Sequence, residues 1–234
     1  MAEGYFSNDA TRARRVQELF DTIAPRYDLI NDLQSLWLHR HWKKRLVKLA
    51  DPSEGQCALD LCCGTGDVAI ALAQCGADVI GIDFSQPMLD HATARNNEST
   101  VTFKRGDALD TKQPANYFDL VTIAYGLRNL ASFEDGLREM HRVAKPGGKL
   151  LVLDFGKPSF APWRWYFFSY LKWMVPWFGR IFCRDAPAYA YIHESLENYP
   201  GQDGVAEMMR ELGCQDIAIH RILGSAMTIN VGVK

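Results

Sequence analysis

The 234-residue chain contains no run of eighteen consecutive apolar residues, so no segment of it reads as a membrane-spanning helix. Its first thirty residues carry Arg12, Arg14 and Arg15 but no apolar stretch, so no secretory leader is expected and the cytoplasm is the expected compartment. The formal charge is only −2 and the pI is near 6.3, which speaks against a dedicated nucleic-acid binder, whose contact face is normally basic. Six cysteines, at positions 57, 62, 63, 75, 183 and 214, include no C-x-x-C pair. A bond between the adjacent Cys62 and Cys63 would be strained, so the cysteines read as buried thiols in a reducing compartment. Internal repeats and low-complexity tracts are also missing. What is left, at 47% hydrophobic and 23% charged residues, is ordinary globular composition for one large domain.

Residues 10–50 read as helical. Val16, Leu19, Phe20 and Ile23 share one face, Pro25 interrupts, and a second helix runs through Trp37, Leu38, Trp42, Leu46 and Leu49. From about residue 57 strands and helices alternate. Strands are expected over 57–62, 79–83, 101–106, 119–124 and 149–155, with helices over 68–74, 88–95 and 133–143. Short apolar runs alternating with helices predict a parallel sheet covered on both faces. A helix over 205–212 and strands over 217–222 and 226–233, joined through Gly224, close the chain. Five parallel strands followed by an antiparallel hairpin resemble the α/β, seven-stranded, Rossmann-like class I fold of S-adenosylmethionine (AdoMet)-dependent methyltransferases. On that basis the single domain divides into an N-terminal helical cap (1–50), an AdoMet-binding core (55–156), an aromatic-rich insertion (157–200) and a C-terminal helix and hairpin (201–234).

The most informative stretch is Leu59-Asp60-Leu61-Cys62-Cys63-Gly64-Thr65-Gly66-Asp67, a buried strand turning through glycines into a helix. Glycines there let the backbone approach a ligand closely. Gly64-x-Gly66-x-x-Ala69 also fits the dinucleotide pattern G-x-G-x-x-G/A, which keeps a nicotinamide-linked reductase open as a different class of enzyme. Asp60 and Asp67, however, put a carboxylate on each side of the turn, an arrangement better suited to a ligand bearing an ammonium or sulfonium than to a diphosphate. AdoMet carries both cations. Asp83 ends the second strand nineteen residues after Gly64, where an acid accepts ribose hydroxyls. Met88 follows as a thioether able to pack on adenine. Asp107 and Ala108, after the third strand, stand where an Asp can accept adenine amino hydrogens. With Thr65 in the turn and Ala124 ending the fourth strand, these residues form the expected cofactor site at the carboxyl ends of strands. Helix capping is the plainer role for Asp83 or Asp107 alone.

Two further segments carry a resemblance. Tyr27-Asp28-Leu29-Ile30-Asn31-Asp32-Leu33-Gln34-Ser35 continues through His39 to Trp42-Lys43, and Arg142-Val143-Ala144-Lys145-Pro146-Gly147-Gly148 leads into Leu153-Asp154-Phe155-Gly156-Lys157-Pro158. With Tyr125-Gly126-Leu127-Arg128-Asn129 and Tyr191-Ile192-His193-Glu194-Ser195, they resemble the UbiE/MenG family of quinone-ring C-methyltransferases from residue 11 to the end. The chain departs from the family pattern at Ile30, Gln34 and Asp154, which stand where the family has Met, Met or Leu, and Glu. The resemblance implies AdoMet as methyl donor and a polyprenyl quinol as acceptor. Cys62-Cys63, and the lack of a late His near Gly224–Met227, resemble naphthoquinone-type members. Demethylmenaquinol is therefore the expected substrate, with demethylphylloquinol or a ubiquinone precursor as alternatives. A non-catalytic subunit of the same fold would have no use for the glycine turn, Asp83 and Arg128 together.

By the same resemblance, Arg128 stabilises a developing phenolate, Asn129 bonds a quinol oxygen, Tyr27 closes over cofactor or ring, and Asp154 is a second candidate proton acceptor. Simpler roles are a structural ion pair of Arg128 with Asp154 or Glu134, and a core position for Tyr27. His39 and His41, two residues apart, point to different helix faces and read as structural or substrate-lining, with no metal implied. From Pro162 to Phe178 the chain holds four of its six tryptophans, and every charge from Arg164 to Arg184 is positive. Cations among tryptophans suit peripheral attachment to an anionic membrane, here its inner face, or a lid over a prenyl tail. An ordinary buried lid or a homodimer surface is the competing use.

Overall fold

The computed structural model describes residues 10–96, 101–174, 195, 196 and 198–234. Seven strands form one sheet: β1 (Cys57–Leu61), β2 (Asp78–Asp83), β3 (Val101–Arg105), β4 (Phe118–Ala124), β5 (Ala144–Phe155), β6 (Gln215–Ile222) and β7 (Met227–Val233). Their order is β3-β2-β1-β4-β5-β7-β6, with only β7 antiparallel to its neighbours. Chain direction reverses across the sheet between β1 and β4, and the crevice at such a switch point is where open α/β sheets hold ligands.

The central strands are apolar on both faces because helices cover both. Ala58, Leu59 and Leu61 of β1, Val121 and Ile123 of β4, and Leu150 to Leu153 of β5 are all essentially inaccessible. The helices are α1 (Ala10–Ile23), α2 (Tyr27–Ser35), α3 (Leu38–Ala50), α4 (Asp67–Gln74), α5 (Gln86–Arg95), α6 (Phe133–Val143), α7 (Ala161–Ser169) and α8 (Gly201–Glu211). Helix α3 packs on α4 and β5, whereas α1 lies against α5, so the N-terminal helices reach over the carboxyl ends of the strands.

Three local features depart from expectation. The N-terminal helices break twice: after Pro25, as expected, and again at Leu36 and Trp37, both left-handed at φ 49° and 62°. Trp37 therefore leaves the apolar face of the following helix and is exposed. Strand β5 begins at Ala144 rather than at 149, because Ala144 pairs with Phe118 and a bulge absorbs the Lys-Pro-Gly-Gly stretch. Backbone bonds from Gly147 and to Gly148 then anchor Lys234. In the aromatic insertion, α7 runs into a π-helical turn (Tyr170–Met174); Trp177, Arg180, Arg184 and the Tyr191–Glu194 stretch lie outside the described residues.

Candidate active site

Strand β1 ends in a turn whose backbone is left-handed at Cys62 (φ 51°), Gly64 (φ 53°) and Gly66 (φ 83°). Gly66 has no room for a side chain: a Cβ would lie 2.8 Å from the Phe103 ring. At Gly64 the nearest atom to such a Cβ would be Cε1 of Tyr27, 3.9 Å away, so Tyr27 stands directly over the open side of the turn. The amide of Gly64 donates to Asp83 Oδ2 at 2.8 Å, and the amide of Ser85 donates to Oδ1 at 2.9 Å. Burial raises the Asp83 pKa against these two bonds. Among the described residues Asp83 is held by backbone N–H groups and by no cation.

Asp83 lines a cavity of about 340 Å³ together with Cys62, Asp107, Ala108, Leu109 and Asn129. The structure thus brings Asp83, Asp107, Ala108 and Asn129 to one space. Burial pushes the Cys62 thiol pKa well up, so it presents a small neutral wall. Met88 is not among the lining residues; it is buried in the core, its amide capped by Ser85. Ala124, half-buried at the end of β4, also stands outside the cavity. The fourth wall is α1, through Arg14, Val16 and Gln17, a contribution that helical periodicity alone could not assign to a site.

The two acids flanking the turn behave differently from each other and from the expectation of two free charges. Asp60 is buried under the turn, where it accepts from Thr122 Oγ1 at 2.7 Å, and burial pushes its pKa up to about 7. Burial would also raise Asp67, but Lys43 at 2.8 Å and Arg95 at 2.6 Å overrule it and bring its pKa down to about 2. The charge of Asp67 is therefore spent on protein cations, and Asp83 and Asp107 are the carboxylates that line the cavity. Arg95 also reaches Asp28 at 3.1 Å, and Asp28 accepts from Thr65 Oγ1 at 2.8 Å. Thr65 is thus tied to α2 rather than turned to the cavity. Nothing in the sequence spacing pointed to this cluster.

Strand β4 ends in a second turn, whose Gly126 abuts Cys62 so closely that a Cβ would lie 2.5 Å from the Cys62 Cβ. Arg128, in the helical turn Leu127–Asn129, is 7% exposed. Its Nη1 donates to Asp154 Oδ1 at 2.7 Å and to the Tyr125 carbonyl at 2.8 Å, and its amide donates to Asp154 Oδ2 at 3.2 Å. The guanidinium carbon lies 4.9 Å from the Phe155 ring centroid, within cation–π range. Asp154 also accepts from the Phe155 amide at 2.8 Å. Asn129 Nδ2 donates to the Tyr125 carbonyl at 3.1 Å. Burial raises the Tyr27 pKa, while the charges of Lys43 and Arg128 oppose it. His39 is buried beside Ser35 Oγ at 2.8 Å, its pKa lowered to about 4 by burial and Lys43, whereas His41 is exposed.

Two turns in contact thus carry, on one side, a cavity lined by the carboxylates of Asp83 and Asp107 and, on the other, an arginine fixed by Asp154. The model of the ubiE/COQ5 methyltransferase family matches residues 8–234. The chain belongs to the ubiE/COQ5 methyltransferase family. Membership removes the nicotinamide-linked reductase and identifies the chain as a methyltransferase. Among relatives in the family, the demethylmenaquinone methyltransferase of Lactiplantibacillus plantarum is 39% identical over 245 residues, covering all of this chain and 99% of that protein. The demethylmenaquinone methyltransferase of Halalkalibacterium halodurans is 36% identical over 230 residues, 96% of this chain and 94% of that one. Solved structures share the fold. A SAM-dependent methyltransferase from Aquifex aeolicus aligns with TM-score 0.61 at 18% identity, covering 88% of this chain and 97% of that one. The complex of the Haloferax volcanii Trm112 methyltransferase activator with a methyltransferase aligns with TM-score 0.69 at 18% identity, covering 92% and 96%. The class I methyltransferase architecture of the ubiE/COQ5 chain is therefore established.

Proposed function

We propose that the protein transfers the methyl group of AdoMet to a ring carbon of demethylmenaquinol, which gives up its ring proton, yielding menaquinol, S-adenosylhomocysteine and a proton. The observation that carries this is the near full-length similarity to proteins named demethylmenaquinone methyltransferase. The cavity fits the donor: its volume lies within the range of small-molecule sites, and it pairs an acceptor carboxylate at Asp83 with a second at Asp107 between apolar walls. Asp83 would hold the ribose hydroxyls, Asp107 the adenine amine, and the Gly64–Gly66 backbone the amino-acid end. Asp60 and Thr65 support this turn from below and from the side, while Met88 and Ala124 support the strand ends. When bound, AdoMet supplies an electrophilic methyl group.

The protein's own contribution is orientation and charge. Holding the ring carbon behind the methyl group is worth roughly 7–11 kcal/mol of barrier in well-aligned cases. Arg128, fixed by Asp154 and Tyr125, is a cation pre-set for the quinol oxygen as that oxygen loses its proton. Asn129 bonds a quinol oxygen, and Tyr27 covers the reacting pair. Asp154 lies behind Arg128 and acts by fixing it; as a proton acceptor it would take the proton directly on its carboxylate, otherwise the proton leaves to water, and a general base contributes typically ~10²–10⁴-fold. Incubation with methyl-labelled AdoMet and reduced demethylmenaquinone, benzoquinone and demethylphylloquinone analogues tests the assignment. The naphthoquinol should be labelled fastest, and failure on all three would overturn it.

Helix α7 supports a membrane-facing entrance on the cytoplasmic side. Its inner face reaches the site, because Phe167 packs on Phe155, the ring under Arg128. Its outer face exposes Trp165, Tyr166 and, in the next turn, Trp173, with Arg164 and Lys172 among them. No helix among the described residues is long and apolar enough to cross a membrane. Cations among interfacial tryptophans suit a surface resting on anionic lipid, from which a long prenyl tail enters. Changing Trp165 and Trp173 together to Ser should abolish co-sedimentation with anionic liposomes and slow turnover of long-tailed quinol more than of a tail-less analogue. A solution dimer lost in the same variant would assign this face to a second copy of the chain instead.

A further inference from the structure

Tyr125 occupies a backbone position that disfavours it. Its φ of 61° lies in the left-handed region, where Gly, Asn and Asp are common and a bulky ring is not. The conformation is imposed from three sides: the Tyr125 amide donates to Leu153 O at 2.7 Å, and its carbonyl accepts from Arg128 and Asn129. A bulky ring held there implies a use for the ring or its hydroxyl. The ring packs beside Phe155, centroids 6.2 Å apart, with the Arg128 guanidinium carbon 5.9 Å from its own centroid. The hydroxyl is buried and, among the described residues, has no hydrogen-bond partner. Buried phenols almost always have one, so an orphaned buried donor beside Arg128 calls for an acceptor that arrives from outside.

We infer that the Tyr125 hydroxyl donates a hydrogen bond to the substrate oxygen on which negative charge develops, sharing that oxygen with Arg128. The inference rests on the C-methyltransferase assignment and adds a catalytic residue to it. Burial, with the nearby Asp154 and Tyr27, raises the phenol pKa well above its usual value despite Arg128, so the group keeps its proton and acts as a donor only. Its neighbours are the residues assigned to the acceptor, and it is not among those lining the cavity at Asp83 and Asp107.

Tyr125→Phe removes the hydroxyl and keeps the ring. Because the hydroxyl has no partner among the described residues, the variant should melt at the same temperature as the parent or slightly above it. Turnover of reduced demethylmenaquinone should fall about a hundredfold, the loss typical of removing one preorganised donor to an oxyanion. S-adenosylhomocysteine affinity by calorimetry should stay within about twofold, since no cofactor contact is removed. A second probe needs no turnover: 2-hydroxy-1,4-naphthoquinone, whose ionised form is coloured, should ionise at lower pH on the parent protein than on the variant. Equal turnover together with equal probe ionisation would overturn the role. Weakened S-adenosylhomocysteine binding would also overturn it, by assigning the hydroxyl to the cofactor. A drop in melting temperature would do so too, by revealing a partner within the protein. Parent protein that binds S-adenosylhomocysteine but methylates no reduced quinone would instead sink the assignment of function, leaving the naphthoquinone probe to decide the hydroxyl by itself.

Discussion

The two turns hold their carboxylates in opposite ways. At the β1–β2 end, Asp83 is fixed by two backbone amides and lines the open cavity. At the β4–β5 end, Asp154 is fixed by Arg128 and lends its charge to hold that side chain still. A carboxylate held by dipoles can still accept the hydrogens of a ligand, whereas one held by a guanidinium acts by orienting its partner. Residue type does not separate the two uses; the donor that satisfies the carboxylate does.

The strongest way to break this contrast is Arg128→Ala. Removing one member of a buried pair leaves Asp154 charged without compensation, which costs about 3–5 kcal/mol in comparable cases. Urea unfolding should show that loss, and methyl transfer should fall below detection while S-adenosylhomocysteine still binds the remaining folded protein. Asp83→Asn should do the reverse. Binding of S-adenosylhomocysteine should weaken by about 1.5–3 kcal/mol, the range for hydrogen bonds to a charged group, as read by calorimetry. Were Asp83→Asn to bind normally, the cavity beside it would not be the nucleoside site.

The smallest effect sharpens the comparison with a third carboxylate. Asp60 has a folded-state pKa of about 7, above that of the unfolded chain, so between those values the native state holds a proton that the unfolded state has lost. Its contribution therefore makes the protein less stable as pH rises from about 4 to 7. Relative to Asp60→Asn, the ligand-free parent should lose on the order of 2 kcal/mol of unfolding free energy between pH 5 and pH 7. Asp67, lowered to about 2 by Lys43 and Arg95, titrates outside that window and cancels in the comparison.

The strands and most helices were legible in the sequence because apolar runs and glycine turns act over a few residues. The positions of Asp83, at the end of β2, and of Asp107, two residues past β3, were legible for the same reason: the hydrophobic pattern fixes both strands. The second break at Leu36–Trp37 was not legible, since neither residue is a turn former; there the Trp37 amide bonds back to the Asp32 carbonyl at 2.8 Å and Arg40 of α3 pairs with Asp32 of α2. The fate of Asp67 was missed because its partners, Lys43 and Arg95, come from helices distant in the chain. Spacing locates a carboxylate. Only the tertiary fold says which cation reaches it first.

The cluster of Lys43, Asp67, Arg95, Asp28 and Thr65 joins α2 and α3 to the glycine turn and to α4 and α5. Arg95 and Asp28 are each more than a third exposed, so dissolved ions reach that link and compete for it. A roof pinned by charge loosens as the medium grows saltier. Exchange of spent donor for fresh would then quicken with ionic strength, even where the chemical step itself is unchanged.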